Sequence, residues 1–264
     1  MSGADGAVVR LNYVRASYDV RLSTSNATLI HAAARFFLWS GDADFLAAMM
    51  PRLRAAMLFL NEHLQGRREG LLDFDWMVGH DGLGGDEPGH GLIGSYWDLL
   101  PAGRYDIESS LAYYCALRAM AEMERAAVNR GIRPPPARVV GPDHATEVLY
   151  GETAESLTAL AARVKQRIEE RLWNPRTGRF VRNIDARGRQ HDYGFLHFNV
   201  LALACGVGTP EQQASVLSWL DGRQVPGDTA TGADIYRWRF APRTSTRHNT
   251  SYYFWRSRSR PCGE

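Results

Sequence analysis

The chain has 264 residues, 45% hydrophobic and 23% charged, with a formal charge of +2. These are the proportions of an ordinary globular protein with a sizeable core, and we expect a single domain over 1–264 with an N-terminal extension (1–23) and an irregular tail (256–264). The near-neutral balance and the lack of any Lys/Arg-dense helix face exclude a dedicated nucleic-acid binder. No apolar run reaches the roughly 20 residues of a membrane span. Cys115, Cys205 and Cys262 have neither metal spacing nor the look of a disulfide framework. Cys115 and Cys205 lie in apolar helical runs and read as buried thiols. With no signal-peptide pattern, this places the chain in the cytoplasm.

Residues 1–24 carry no clear periodicity. Ser25 or Asn26 caps a helix to about Trp39, with Leu29, Ile30, Ala33, Phe36 and Phe37 apolar. Ser40-Gly41-Asp42 stops it and Asp42 caps the next. The second helix runs from Ala43 to about Gln65, with Phe45, Leu46, Met49, Leu53, Met57, Leu60 and Leu64 at spacings of three and four. Pro51 should kink or break it. A turn this short makes the two an αα-hairpin.

Residues 71–112 read LLDFDWMVGHDGLGGDEPGHGLIGSYWDLLPAGRYDIESSLA. Their middle is a long loop of glycine, acid, histidine and tryptophan between helical segments. Loops of this length in compact domains are functional or disordered, and the aromatic content argues for order. The chemistry is therefore expected here.

A third helix spans Ile107 to about Val128, with Ile107, Leu111, Tyr114, Leu117 and Ala121 as its stripe, and 131–136 break it. A fourth, about Glu152–Leu172, sets Leu157, Leu160, Val164 and Ile168 against Arg163, Gln166, Glu169 and Glu170. Asn174-Pro-Arg-Thr-Gly178 is turn chemistry and predicts a small β-hairpin over 174–188. The fifth helix, about Tyr193–Cys205, is apolar nearly all round and is expected to be buried. Thr209-Pro210-Glu211-Gln212 is a capping box with proline at the first helical position, opening a helix to about Leu220. From Asp221 the chain is irregular. The fold class is all-α: αα-hairpins with a small β insertion.

Several stretches resemble one family. AAARFFLWSGDADFLAAMMPRLRAAMLFL (32–60) looks like a hairpin of the six-hairpin glycosidases, the (α/α)6-toroid enzymes that include trehalases, processing α-glucosidases and α-rhamnosidases. SYWDLLPAG (95–103) followed by SSLAYYCALRAMAEM resembles the loop and helix after the first half of that ring. ERLWNPRTGRFV, HDYGFLHFNVLAL and GTPEQQASVLSWL look like a later repeat. The resemblance covers about 24–255. A full ring has twelve helices and about half are visible here, so it implies a partial toroid. It also implies a glycoside or oligosaccharide substrate and hydrolysis by an acid/base pair without a cofactor.

Hydrolysis needs a carboxylic acid to protonate the leaving oxygen and a carboxylate to activate water, about 6.5–9.5 Å apart when the anomeric centre inverts. Asp98, between Trp97 and Leu99, is the first candidate acid, because an apolar wall raises a carboxyl pKa. Its Trp-Asp setting also resembles that of trehalase-like relatives. The plainer reading is a turn cap or a partner of Arg104. Asp75 suits sugar hydroxyls and Trp76 the apolar face of a pyranose; with Asp73 they form either a sugar subsite or a structural corner. Asp106 and Glu108 open a helix, where carboxylates favour the N-terminal dipole end.

His80 and His90 share the loop with Asp81 and Asp86, but their spacing is not that of metal ligands, and no metal is expected. Asp234, in a polar-aromatic loop with Asp228, Tyr236, Trp238 and Arg239, is the candidate base; a packed connection is the alternative. His90, Tyr96 and Arg104 fit either sugar binding or the base and basic cluster of a sugar lyase or epimerase. A non-catalytic carbohydrate-binding remnant is a further reading.

Overall fold

The computed structural model describes residues 24–73, 104–135, 137–140, 147–192, 194 and 196–220. Among them, seven helices and short antiparallel strand pieces make an all-α fold with a small β insertion. The helices are α1 (Ser25–Ser40), α2 (Ala43–Leu58), α3 (Gly66–Glu69), α4 (Ile107–Asn129), α5 (Ala154–Arg171), α6 (Leu196–Ala204) and α7 (Pro210–Leu220). Three consecutive pairs pack on each other: α1 with α2, α4 with α5, and α6 with α7.

The local signals act where the sequence puts them. Gly41 takes the left-handed conformation (φ 65°) that ends α1, and Asp42 accepts the Phe45 amide at 2.9 Å to start α2. The Thr209 and Gln212 side chains bond each other's amides at 3.3 and 3.0 Å, completing the capping box of α7. Thr153 and Ser156 form a second box at the head of α5 that the sequence reading did not single out.

Two expectations are corrected. Of the kink or break expected at Pro51, the break does not occur: α2 runs through Pro51 to Leu58. Its missing N–H frees the carbonyl one turn back, and Ala47 there is exposed, so water can take that bond. The ladder instead widens into a π-helical turn at Phe59–His63 and stops at Gln65, which is left-handed (φ 56°). Likewise, α6 is not enclosed. Phe198, Asn199 and Ala202 are buried, while Val200 is 45% exposed. Composition makes α6 apolar nearly all round, yet Leu201 and Leu203 are only partly buried and Val200 is exposed.

The most enclosed helix is α4, which packs against α1, α2, α5 and α6. Beyond the predicted stripe it buries Tyr113, Ala116, Met120 and Met123. Glu124 on α4 takes a two-point ion pair from Arg54 of α2 at 2.8 and 2.7 Å. Between α2, α4 and α5, the Tyr113 hydroxyl donates to Asn61 Oδ1 (2.6 Å), and Asn61 Nδ2 donates to Glu152 Oε1 (2.8 Å). Ser156 Oγ (2.6 Å) and Arg67 complete the shell of Glu152.

This packing leaves no room at Gly66. A Cβ there would lie 2.6 Å from the Tyr113 ring. Gly66→Ala is expected to cost about 1–3 kcal/mol, because the ring is fully buried and pinned by its hydroxyl. A urea midpoint unchanged from wild type would refute this.

The β insertion is two successive hairpins rather than one. β4 (Trp173–Asn174) pairs with β5 (Arg179–Phe180) around the predicted turn, where Gly178 is left-handed and its amide donates to Asn174 O at 2.9 Å. β6 (Asn183–Ile184) pairs with β7 (Gln190–His191) across a turn closed by Asp185. Burial pushes the Asp185 carboxyl up, but hydrogen bonds from His191 and Arg189 outweigh it and hold it at about 2. A further pair, β2 (Arg138–Val140) with β3 (Glu147–Leu149), lies between α4 and α5. β6 also pairs with β1 (Tyr105–Asp106), with Tyr105 opposite Ile184 and Asp106 opposite Asn183. That pairing ties the later hairpins to the entry of α4.

Candidate active site at the root of the glycine-rich loop

The long loop leaves the described structure at Asp73 and re-enters at Arg104, and these two ends are joined. Asp73 and Tyr105 form an isolated antiparallel bridge. The Arg104 guanidinium donates to Asp73 Oδ2 from Nε (3.2 Å) and Nη2 (3.1 Å). The Asp73 side chain is 2% exposed and that of Arg104 31%. Asp73 and Arg104, 31 positions apart in sequence, are therefore held side by side.

Tyr105 extends this root. Its ring lies under two guanidinium groups, Arg171 at 4.4 Å and Arg104 at 5.0 Å from the centroid. Its hydroxyl donates to Glu69 Oε2 at 3.2 Å. Burial and the Asp73 carboxylate push the phenol above its ordinary value. It stays neutral at physiological pH and acts as a donor.

Beneath the root, Arg182 is fully buried in the connection between β5 and β6. It contacts Asp106 directly, reaches Glu108 Oε2 at 3.6 Å, and lies over the Phe198 ring of α6 at 4.6 Å. Asp106 also caps α4, accepting the Ser109 amide at 2.8 Å. One guanidinium thus faces two carboxyls away from water. Burial raises both, and for Asp106 it outweighs the opposing effect of the Arg182 charge and the Ser109 amide. Glu108 has the longer contact, and burial lifts it to about 7, with Arg182 opposing and Asp106 adding to the rise. Burial and the Arg182 charge hold the His197 imidazole below its ordinary value, so it is neutral at pH 7.

A carboxyl that holds its proton near neutrality is suited to general acid catalysis. Glu108, in the Arg182 cluster, has that property, while the root itself carries hydrogen-bonding and cationic groups, Tyr105 and Arg104. Of the residues the sequence marks as a site, Arg104 is the one the described structure includes, and it stands at this root. Asp75, Trp76, His90, Tyr96, Trp97, Asp98, Asp234, Trp238 and Arg239 lie outside the described residues. Asp73, first grouped with Asp75 and Trp76, serves the loop closure. Asp106 is the cap the sequence suggests.

Arg182 was missed. Its one signal is a charge inside the otherwise apolar-polar run Arg179-Phe-Val-Arg-Asn-Ile184, where solvent exposure is the default reading of an arginine. Among the described residues no group of three His, Cys, Asp or Glu is placed to hold a metal ion, and no helix is long and apolar enough to cross a membrane.

No family model matches this chain, and no curated protein does. Among solved structures it is similar to the GH78 family rhamnosidase of Bacillus sp. GL1, at a TM-score of 0.51 and 19% identity. The match covers 76% of this chain and 17% of the rhamnosidase, so this chain spans a small part of that protein's length. At such identity the likeness is one of fold.

Proposed function

We propose that this chain is a glycoside-hydrolase-like module that binds a glycoside and cleaves it by acid/base catalysis with inversion. The observation that carries this reading is the fold shared with a rhamnosidase over 76% of the chain. In this reading Asp98 protonates the leaving oxygen and Asp234 activates water. Trp76, Trp97 and Trp238 offer flat faces to the sugar ring, while Asp75, His90, Tyr96, Arg104 and Arg239 bind hydroxyls. The ion pair of Asp73 with Arg104 brings together the two residues that flank the stretch carrying Asp98, which supports the reading because catalytic groups need precise placement.

The test is thermal unfolding and product release with a panel of aryl glycosides, rhamnosides included. Wild type is expected to show an upward shift with one sugar and release of its aglycone. Asp98→Asn is expected to keep the shift and release no product. Turnover that survives in Asp98→Asn but is lost in Glu108→Gln would move the acid to Glu108. No shift and no product with any sugar would refute the proposal.

A second reading is non-catalytic carbohydrate binding. It is favoured by the small share, 17%, of the rhamnosidase that the match covers. It predicts the shift without product in the wild type.

A further inference from the structure

Cys115 on α4 and Cys205, just past the end of α6, are free thiols with their Sγ atoms 3.1 Å apart. They are 90 residues apart in sequence, so tertiary structure alone makes them a pair. Both are half-buried, so a small oxidant can approach. A disulfide requires about 2.05 Å between sulfurs, roughly one ångström closer than these. We infer that Cys115 and Cys205 form a redox-active dithiol that closes to a disulfide, tying the end of α6 to α4, when it meets a small-molecule disulfide such as oxidised glutathione.

Their roles differ. The hydrogen bond with Cys205 draws the Cys115 thiol below its ordinary value, burial opposes this, and Arg118 one turn along adds to the fall. The same contact, with burial, pushes Cys205 up. Cys115 is therefore the attacking thiolate. It displaces one glutathione thiolate to give a mixed disulfide. Cys205 loses its proton to solvent, attacks the Cys115 sulfur, and releases the second glutathione. The two protein thiols lose two electrons and two protons, and the oxidant's S–S bond takes them up as two thiols.

The bond would act on the loop root. α6 carries Phe198 beneath Arg182, and Asn199, whose side chain accepts the Phe180 amide at 2.8 Å. α4 begins at Asp106 and Glu108. Oxidation would fix these two elements against each other. The inference stands on the fold and is independent of the glycosidase reading.

The experiment incubates the whole chain with oxidised or reduced glutathione, alkylates the remaining thiols in acid, and maps tryptic peptides by mass. The expected result is a Cys115–Cys205 linked pair, lighter than the two separate peptides by two hydrogens. Cys262 should stay outside the link, and dithiothreitol should reverse it. The oxidised chain should unfold about 5–10 °C higher, and Cys205→Ser should lose that shift while Cys262→Ser keeps it. A stable glutathione adduct on Cys115, a link through Cys262, or both thiols remaining alkylatable would overturn the inference. The mapping decides on wild type alone, whether or not the Cys205→Ser variant folds.

Discussion

Replacing Arg182 with Met is expected to destabilise the fold by about 3–5 kcal/mol, read as a lower urea midpoint at pH 7. The side chain is 0% exposed, as is that of its partner Asp106. Removing the guanidinium leaves Asp106 buried without a counterion, so it must either take up a proton or carry an unpaired charge, and breaking one partner of such a pair costs in this range. Glu108 does not replace the lost charge, since it is itself acidic and already carries a proton near neutrality. The cost should disappear largely when the acids are neutralised too. In the triple variant Arg182→Met, Asp106→Asn, Glu108→Gln, the asparagine still caps α4 and no charge remains in the cluster. A single variant that loses no more than a surface substitution, about 0.5 kcal/mol, would show that Arg182 does not neutralise this site.

Glu108→Gln is expected to become progressively more stable than wild type as pH rises from about 4.5 to 8. The Glu108 carboxyl lies at about 7 in the folded protein against 4.5 ordinarily. Between these values the folded state binds more protons than the unfolded state, so the Glu108 contribution falls as pH rises. It is fully present below about 4.5 and lost as pH passes through about 7. At about 1.4 kcal/mol per pKa unit the gap between variant and wild type reaches up to roughly 3 kcal/mol at pH 8. His197, held below its ordinary value of 6.5, works in the opposite direction, its contribution being present above that value and lost as pH falls. The informative quantity is therefore the difference between the two proteins at each pH, which leaves His197 out. A difference that does not change with pH would place the Glu108 carboxyl in its ordinary range and remove it as a neutral-pH proton donor.

The elements themselves were largely legible. Asp42, the Thr209–Gln212 box and the apolar spacing of α2, α4 and α5 act within one or two helical turns, so the sequence window that shows them also contains their cause. The turn at Asn174–Gly178 is local for the same reason. Pro51 misled because its cost depends on whether the freed carbonyl meets water, and that is set by what packs on α2. The apolar faces of α6 misled because hydrophobicity states a tendency to be covered and leaves open which neighbour does the covering.

The candidate site divides along the same line. A loop dense in acids and aromatics between two helices, and Asp106 as the cap of α4, were visible in residues 71–112. The ion pair of Asp73 with Arg104 closes 31 residues of chain, and that of Arg182 with Asp106 spans 76. Neither has a sequence period, since nothing in the chain fixes the distance between such residues until the helices and strands between them have packed. The sequence alone determined an all-α chain of hairpins with a short β insertion, because helix periodicity, caps and turns are encoded within a few residues. Tertiary packing alone decided which arginine neutralises which acid, that burial lifts the Glu108 carboxyl to about 7, and that two distant cysteines face each other. Charge pairing, burial and sulfur contact depend on distance in space, which a chain acquires only when it folds.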